Sequence, residues 1–263
     1  MPIASAVALA HECRKMARTM GASHLGIADL ARAYEACPES FEECGRLLTG
    51  IAICVPEDDD LLDGLPRTDD AYRTSHYEVK IALALKIADK ICQALVRGGY
   101  KAHRLSHPPA IKPTGLYKLV GRFAGLGWIG KNHLLITPER GPRVAVATVL
   151  TDAPLPPTAD QPMEDRCEDC TKCIDVCPVQ AFQDEPLDEA NPLASFDVGR
   201  CATLRGVINP TYWGGCGMCM MICPFGSCAG VSRGDRPRGD SGSSGGASEQ
   251  GSRAAANKGA TQP

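Results

Sequence analysis

Cys167, Cys170, Cys173 and Cys177 fall within eleven positions of "CEDCTKCIDVCPVQAF", and the run closes on Cys177-Pro178. Two-residue spacers let three thiolates converge on one polynuclear centre. The three-residue step and the proline carry the fourth sulfur toward a second centre, which is the spacing of bacterial proteins with two 4Fe-4S clusters. A zinc ion is the competing reading, but structural zinc ligands usually come as two separated pairs rather than three in a row. A second run, "WGGCGMCMMICPFG", supplies Cys216, Cys219 and Cys223 and is one cysteine short. Cys201, fifteen residues before Cys216, is the natural substitute. The expectation is a crossed pair of clusters. Cys167, Cys170, Cys173 and Cys223 would hold one; Cys177, Cys201, Cys216 and Cys219 would hold the other. Cys228 reads as a spare thiol.

Fourteen cysteines in 263 residues would suggest disulfides in a small secreted protein. This chain is long, and "MPIASAVALAHECRKMARTM" lacks the basic leader of a signal peptide. Metal ligation in a reducing, cytoplasmic setting is therefore expected. No apolar run reaches the roughly 18 residues that span a bilayer, so no membrane partner is expected. A net charge of −3 gives no global nucleic-acid footprint.

The elements that must position these cysteines read as an α+β arrangement over residues 1–155. The N-terminal segment is an amphipathic helix with Val7, Ala10, Met16 and Met20 on one face. Residues 22–30 and 47–56 are short apolar strands, and 57–70 is an acidic loop. Residues 71–99 form the longest helix, with Val79, Leu83, Ile87, Ile91 and Leu95 four apart and Gly98-Gly99 as its stop. "YKAHRLS" is a strand, 114–125 a short helix, and 131–152 a β-hairpin turning at "PERGP". After a Pro-rich linker, residues 156–230 form the cysteine domain. Residues 231–263 form a Gly/Ser-rich tail with too little apolar surface to order itself.

Clusters carry electrons but make no product, so the question becomes what the first domain holds. "FAGLGWIGKNHLLITPERGPRVAVATVLTDAPL" (123–155), joined to this cysteine layout, resembles the epoxyqueuosine reductase family. "GASHLGIADLAR" and "HYEVKIALALKIADKICQALVRGGYKA" extend the resemblance over roughly residues 10–228. It implies cobalamin or another corrinoid, two 4Fe-4S clusters, and a nitroreductase-like corrinoid domain followed by a ferredoxin-like two-cluster domain. The same plan serves corrinoid reductive dehalogenases. In that light Gly127 and Gly130 let backbone approach a large flat ligand, Trp128 faces a macrocycle, and Lys131 and Asn132 bond its phosphate or amides. On the residues alone, a glycine-rich turn that merely packs is an equal reading. Nine Lys/Arg and one acid between Arg97 and Arg143 fit either an anionic ligand or a solvated basic face.

Two departures from the family pattern stand out. Members acting on epoxyqueuosine carry an Asp-Ser-Gly/Ala-Pro motif before the "AGLGW" block, its Asp taken as proton donor. No Asp or Glu occurs here from residue 90 to 138, and His103, His107 and Tyr117 are weak substitutes, so the catalytic acid is unassigned. Full-length members also carry a C-terminal helical-repeat domain where this chain has its tail. Both features count against tRNA as substrate and leave a small molecule or nucleoside. The expected function is an iron–sulfur oxidoreductase fed by a low-potential ferredoxin or flavodoxin. The alternatives are an electron-transfer module for a partner enzyme and an activase that reduces the corrinoid of another protein.

Overall fold

A computed structural model describes residues 3–41, 44–64, 77–105, 116–203 and 216–226. His107, Cys228, the 231–263 tail and the first turn expected of the long helix lie outside the described residues.

Helix α1 (Ile3–Thr19) leads into strand β1 (His24–Asp29), the short helix α2 (Ala31–Ala36) and strand β2 (Thr49–Pro56). Helices α3 (Asp59–Gly64) and α4 (Tyr77–Arg97), strand β3 (Ala102–Arg104) and helix α5 (Leu116–Phe123) follow. Strands β4 (Trp128–Ile129), β5 (Leu135–Ile136) and β6 (Val144–Thr151) precede the short helices α6 (Lys172–Asp175), α7 (Val198–Thr203) and α8 (Met218–Met221). The main sheet runs β1-β2-β6-β3 and is antiparallel throughout.

Strand alternation builds two cores from this one sheet. Ile51, Ile53 and Val55 of β2, with Ala145, Ala147 and Val149 of β6, face α1 and α4. Ala52 and Cys54, with Val144, Val146 and Leu150, face α5, where Leu116, Leu119, Val120 and Phe123 cover them. The result is three layers, helix–sheet–helix. Helix α4 stops as expected, at Gly99 with φ 87°.

Three expectations are corrected. Residues 131–152 are not one hairpin: β5 pairs with β4, while β6 enters the centre of the main sheet. All eight residues of β6 are buried, and "VAVATVLT", largely apolar on both faces, suits an interior strand better than a half-exposed hairpin arm. The acidic loop contains α3, whose Asp59 and Asp63 have basic partners in the turn before β6. In α1 the buried stripe is Ala6, Ala10, Cys13 and Ala17, and Val7 is exposed.

Candidate metal centres and their junction with the sheet

The cysteine region folds as two similar loops. In the first Cys-x2-Cys step of each run the residue after the first cysteine has a left-handed backbone: Glu168 at φ 45° and Gly217 at φ 78°. Helix α6 carries Cys173, helix α8 carries Cys219, and the two helices pack together. None of the thirteen described cysteines is in a disulfide.

The chain brings the seven cysteines of the two runs together with Cys201. Cys219 lies within electrostatic reach of Cys201 and Cys216, then of Cys173 and Cys177. Cys223 lies within reach of Cys167, Cys173 and Cys170. Burial, reinforced by the neighbouring sulfurs, pushes the Cys173 and Cys223 thiols up to about 12 and Cys219 well above its ordinary value. Partly buried thiols crowded together want a cation, since a metal centre deprotonates coordinating thiols outright. Eight sulfurs gathered in one region suit two cubanes, each of which takes four thiolates.

The "GLGWIGKN" block meets this region directly. The Trp128 ring is buried, with the Phe225 ring edge-on at 4.8 Å and the Arg166 guanidinium 5.5 Å from its centre. Lys131 Nζ donates to the Glu168 carbonyl (2.7 Å) and pairs with Asp184 (2.6 Å). Asn132 Nδ2 donates to the Cys219 carbonyl (3.2 Å), and its Oδ1 accepts the Leu134 amide (3.2 Å). Gly127 approaches backbone rather than a ligand: a Cβ there would lie 2.0 Å from the Ile136 carbonyl oxygen. Gly130 is packed against Asn132 and Ile136. Of the five residues assigned by resemblance to a corrinoid, Gly127 and Gly130 pack against β5, the Trp128 ring packs on Phe225 and Arg166, and Lys131 and Asn132 bond the cysteine region.

Part of the local excess of basic residues is paired within the chain. Arg104 pairs with Asp89, Arg122 with Glu189, and Arg140 with Asp59. Arg143, buried, pairs with Asp59 and Asp63 (3.3 and 2.6 Å). Burial holds Cys13 and Cys92 at about 11 and Cys54 at about 12, and Cys37 is buried.

Two residues escaped the sequence reading. His133, buried, has a ring nitrogen 2.9 Å from Ser195 Oγ and stacks on Phe196 and Phe182. Burial, with Lys118 beside it, lowers it to about 4, so it is neutral at physiological pH. Glu57 follows β2, where its amide donates to the Arg143 carbonyl (3.0 Å). Its carboxyl is buried, Oε1 has no hydrogen-bond partner, and burial raises it to about 7 against the pull of Lys80. It can hold a proton near neutral pH. Its signal was hidden in an acidic stretch, where solvation is the default reading.

Comparison with known proteins agrees with these features. Residues 166–226 match the 4Fe-4S double cluster binding domain. An epoxyqueuosine reductase of Bacillus anthracis is 38% identical over 115 residues, covering 41% of this chain and 28% of the relative. One of Vibrio cholerae is 32% identical over 146 residues, covering 53% and 37%. The matched stretch thus spans about a third of these relatives' length. Among solved structures, an epoxyqueuosine reductase with an epoxyqueuosine-modified tRNA-Tyr stem loop covers 89% of this chain and 70% of its own (TM-score 0.57, 21% identity). A reductive dehalogenase whose structure is described with a mechanism for B12-dependent dehalogenation covers 82% and 31% (TM-score 0.63, 23% identity). The chain is similar in sequence to epoxyqueuosine reductases, shares a mixed helix-and-sheet fold with them and with reductive dehalogenases, and carries a double 4Fe-4S cluster binding domain.

Proposed function

We propose that the chain is an iron–sulfur oxidoreductase of the epoxyqueuosine reductase type. Residues 156–230 would hold two 4Fe-4S clusters, one on Cys167, Cys170, Cys173 and Cys223, the other on Cys177, Cys201, Cys216 and Cys219. Residues 1–155 would form a nitroreductase-like unit whose acceptor is a corrinoid. The observation that carries the reading is the crowding of eight sulfurs drawn from distant parts of the chain. The fold likeness to a B12-dependent dehalogenase supports the corrinoid.

The "GLGWIGKN" residues bond and pack against β5 and the cysteine region. Their proposed role is to lock the cysteine region onto the sheet. Glu57 is the proposed proton source, being a buried acid that stays protonated near neutral pH. The doubt over tRNA finds no support in the comparisons. A nucleoside, as in the tRNA stem loop of the solved relative, is the proposed substrate class. The electron donor would be a low-potential ferredoxin or flavodoxin in the cytoplasm. Among the described residues no helix is long and apolar enough to cross a membrane.

Anaerobic reconstitution with iron, sulfide and a corrinoid tests the reading. About eight irons and about one cobalt per chain are expected. About four irons would overturn the use of Cys201, and a protein that retains no cobalt would overturn the corrinoid. The second reading, an electron-transfer module, is favoured by the occupied groups of Trp128, Lys131 and Asn132. It expects eight irons, no cobalt and no substrate turnover by the isolated chain.

A further inference from the structure

The Trp128 indole N–H has no hydrogen-bond partner among the described residues, although the ring is buried. The ring packs in one apolar group with Cys223 and Cys167. The indole comes from the glycine-rich block of the sheet region; the two cysteines belong to the cysteine region. The indole is held from two sides, by the edge of Phe225 two residues past Cys223 and by the Arg166 guanidinium next to Cys167.

A buried N–H without an oxygen partner is costly unless something else accepts its hydrogen. A cluster thiolate is such an acceptor, and it becomes a better one on reduction. Reduction adds one electron and one unit of negative charge to the cubane and its four thiolates. Hydrogen bonds to the sulfurs favour that more negative form and raise the potential.

We propose that Trp128 sets the reduction potential of the cluster on Cys167, Cys170, Cys173 and Cys223, making it the easier of the two to reduce. The inference rests on the ligand assignment proposed above. It gives the block a redox role beside its structural one: the sheet region poises the cluster that it touches, and electrons collect there.

The test is potentiometric titration with dithionite under argon, followed by electron paramagnetic resonance, on the reconstituted full chain. Trp128→Phe removes the N–H. Replacement of Trp128 by benzothienylalanine removes it while keeping the bicyclic shape, and decides the matter if the phenylalanine variant loses iron. Phe225→Leu loosens the ring but keeps the N–H. In both Trp128 variants one cluster is expected to become harder to reduce while the other is unmoved. The size is on the order of a tenfold change in its oxidised-to-reduced ratio at fixed potential, about 59 mV for one electron. Phe225→Leu should shift the same wave by much less. An unmoved potential in a benzothienylalanine variant holding eight irons overturns the inference, as does an equal shift of both clusters. A wild-type chain holding only four irons overturns the ligand assignment, and the inference with it.

Discussion

The sheet region and the cysteine region are stabilised by opposite means. Strand β6 buries all eight of its residues, and β2 buries six of eight. Helices α4 and α5 close the two faces with Ile87, Ile91 and Leu95 on one side and Leu119 and Val120 on the other. Helix α6, which carries the third cysteine of the first run, has no buried residue. The buried side chains of the cysteine region cluster where it meets the sheet: Cys223 under Trp128 and Ile136, Met220 and Met221 against Leu62. One region closes its own core; the other depends on what it binds and what it docks on.

The largest effect should come from iron. Chelating it oxidatively, or replacing Cys219 by Ser, is expected to abolish amide protection across 167–177 and 216–226 while β2 and β6 keep theirs in hydrogen exchange. Equal loss of protection in both regions would break the contrast. Gly127→Ala attacks the dock. Its Cβ would meet the Ile136 carbonyl at 2.0 Å, so the β4–β5 pair must move, at about 4 kcal/mol. The expected result is iron loss at lower denaturant, with the sheet transition less affected. Asp63→Ala removes the carboxylate that pairs with the buried Arg143 at 2.6 Å. Breaking a buried ion pair this way costs about 3 kcal/mol, measured as a lower midpoint of denaturation.

The same contrast explains what could be read from the sequence. Helix α4 was legible because Ile87, Ile91 and Leu95 recur near the helical period. Val79 was not: steps of four drift by about 40° each around a 3.6-residue helix, and it ends 62% exposed. In α1 the buried stripe is mostly alanine, which carries little hydrophobic signal, so Val7 drew the reading instead. The cysteine spacing was legible because cluster ligation is local in sequence. The role of "GLGWIGKN" was not. Glycines and hydrogen-bonding groups look alike whether they meet a cofactor or distant backbone, and Glu168, Asp184 and Cys219 lie far along the chain. The basic stretch misled for the same reason, since its partners Asp59, Asp63, Asp89 and Glu189 fall outside it.

The smallest expected effect sits on the seam between the regions and is visible only when halved. His133 is depressed to about 4 in the folded chain. Its contribution to stability is full above pH 6.5 and is lost as pH falls from 6.5 toward 4. Glu57 is raised to about 7. Its contribution is full below pH 4.5 and is lost as pH rises from 4.5 through 7. Each changes stability by about 2 kcal/mol between pH 4.5 and 6.5, in opposite directions. From these two groups the wild type should show an almost flat melting temperature across that window. His133→Gln keeps only the Glu57 slope and should become less stable with rising pH; Glu57→Gln keeps only the His133 slope and should become more stable with rising pH. His133 stacks on Phe182 and Phe196 of the cysteine region, whereas Glu57 lies at the end of a sheet strand. Hydrogen exchange should therefore place the acid-side loss of the Glu57→Gln variant first at residues 181–196, and the base-side loss of His133→Gln first around the β2–β6 pair. Identical patterns in the two variants would mean that the regions unfold as one unit.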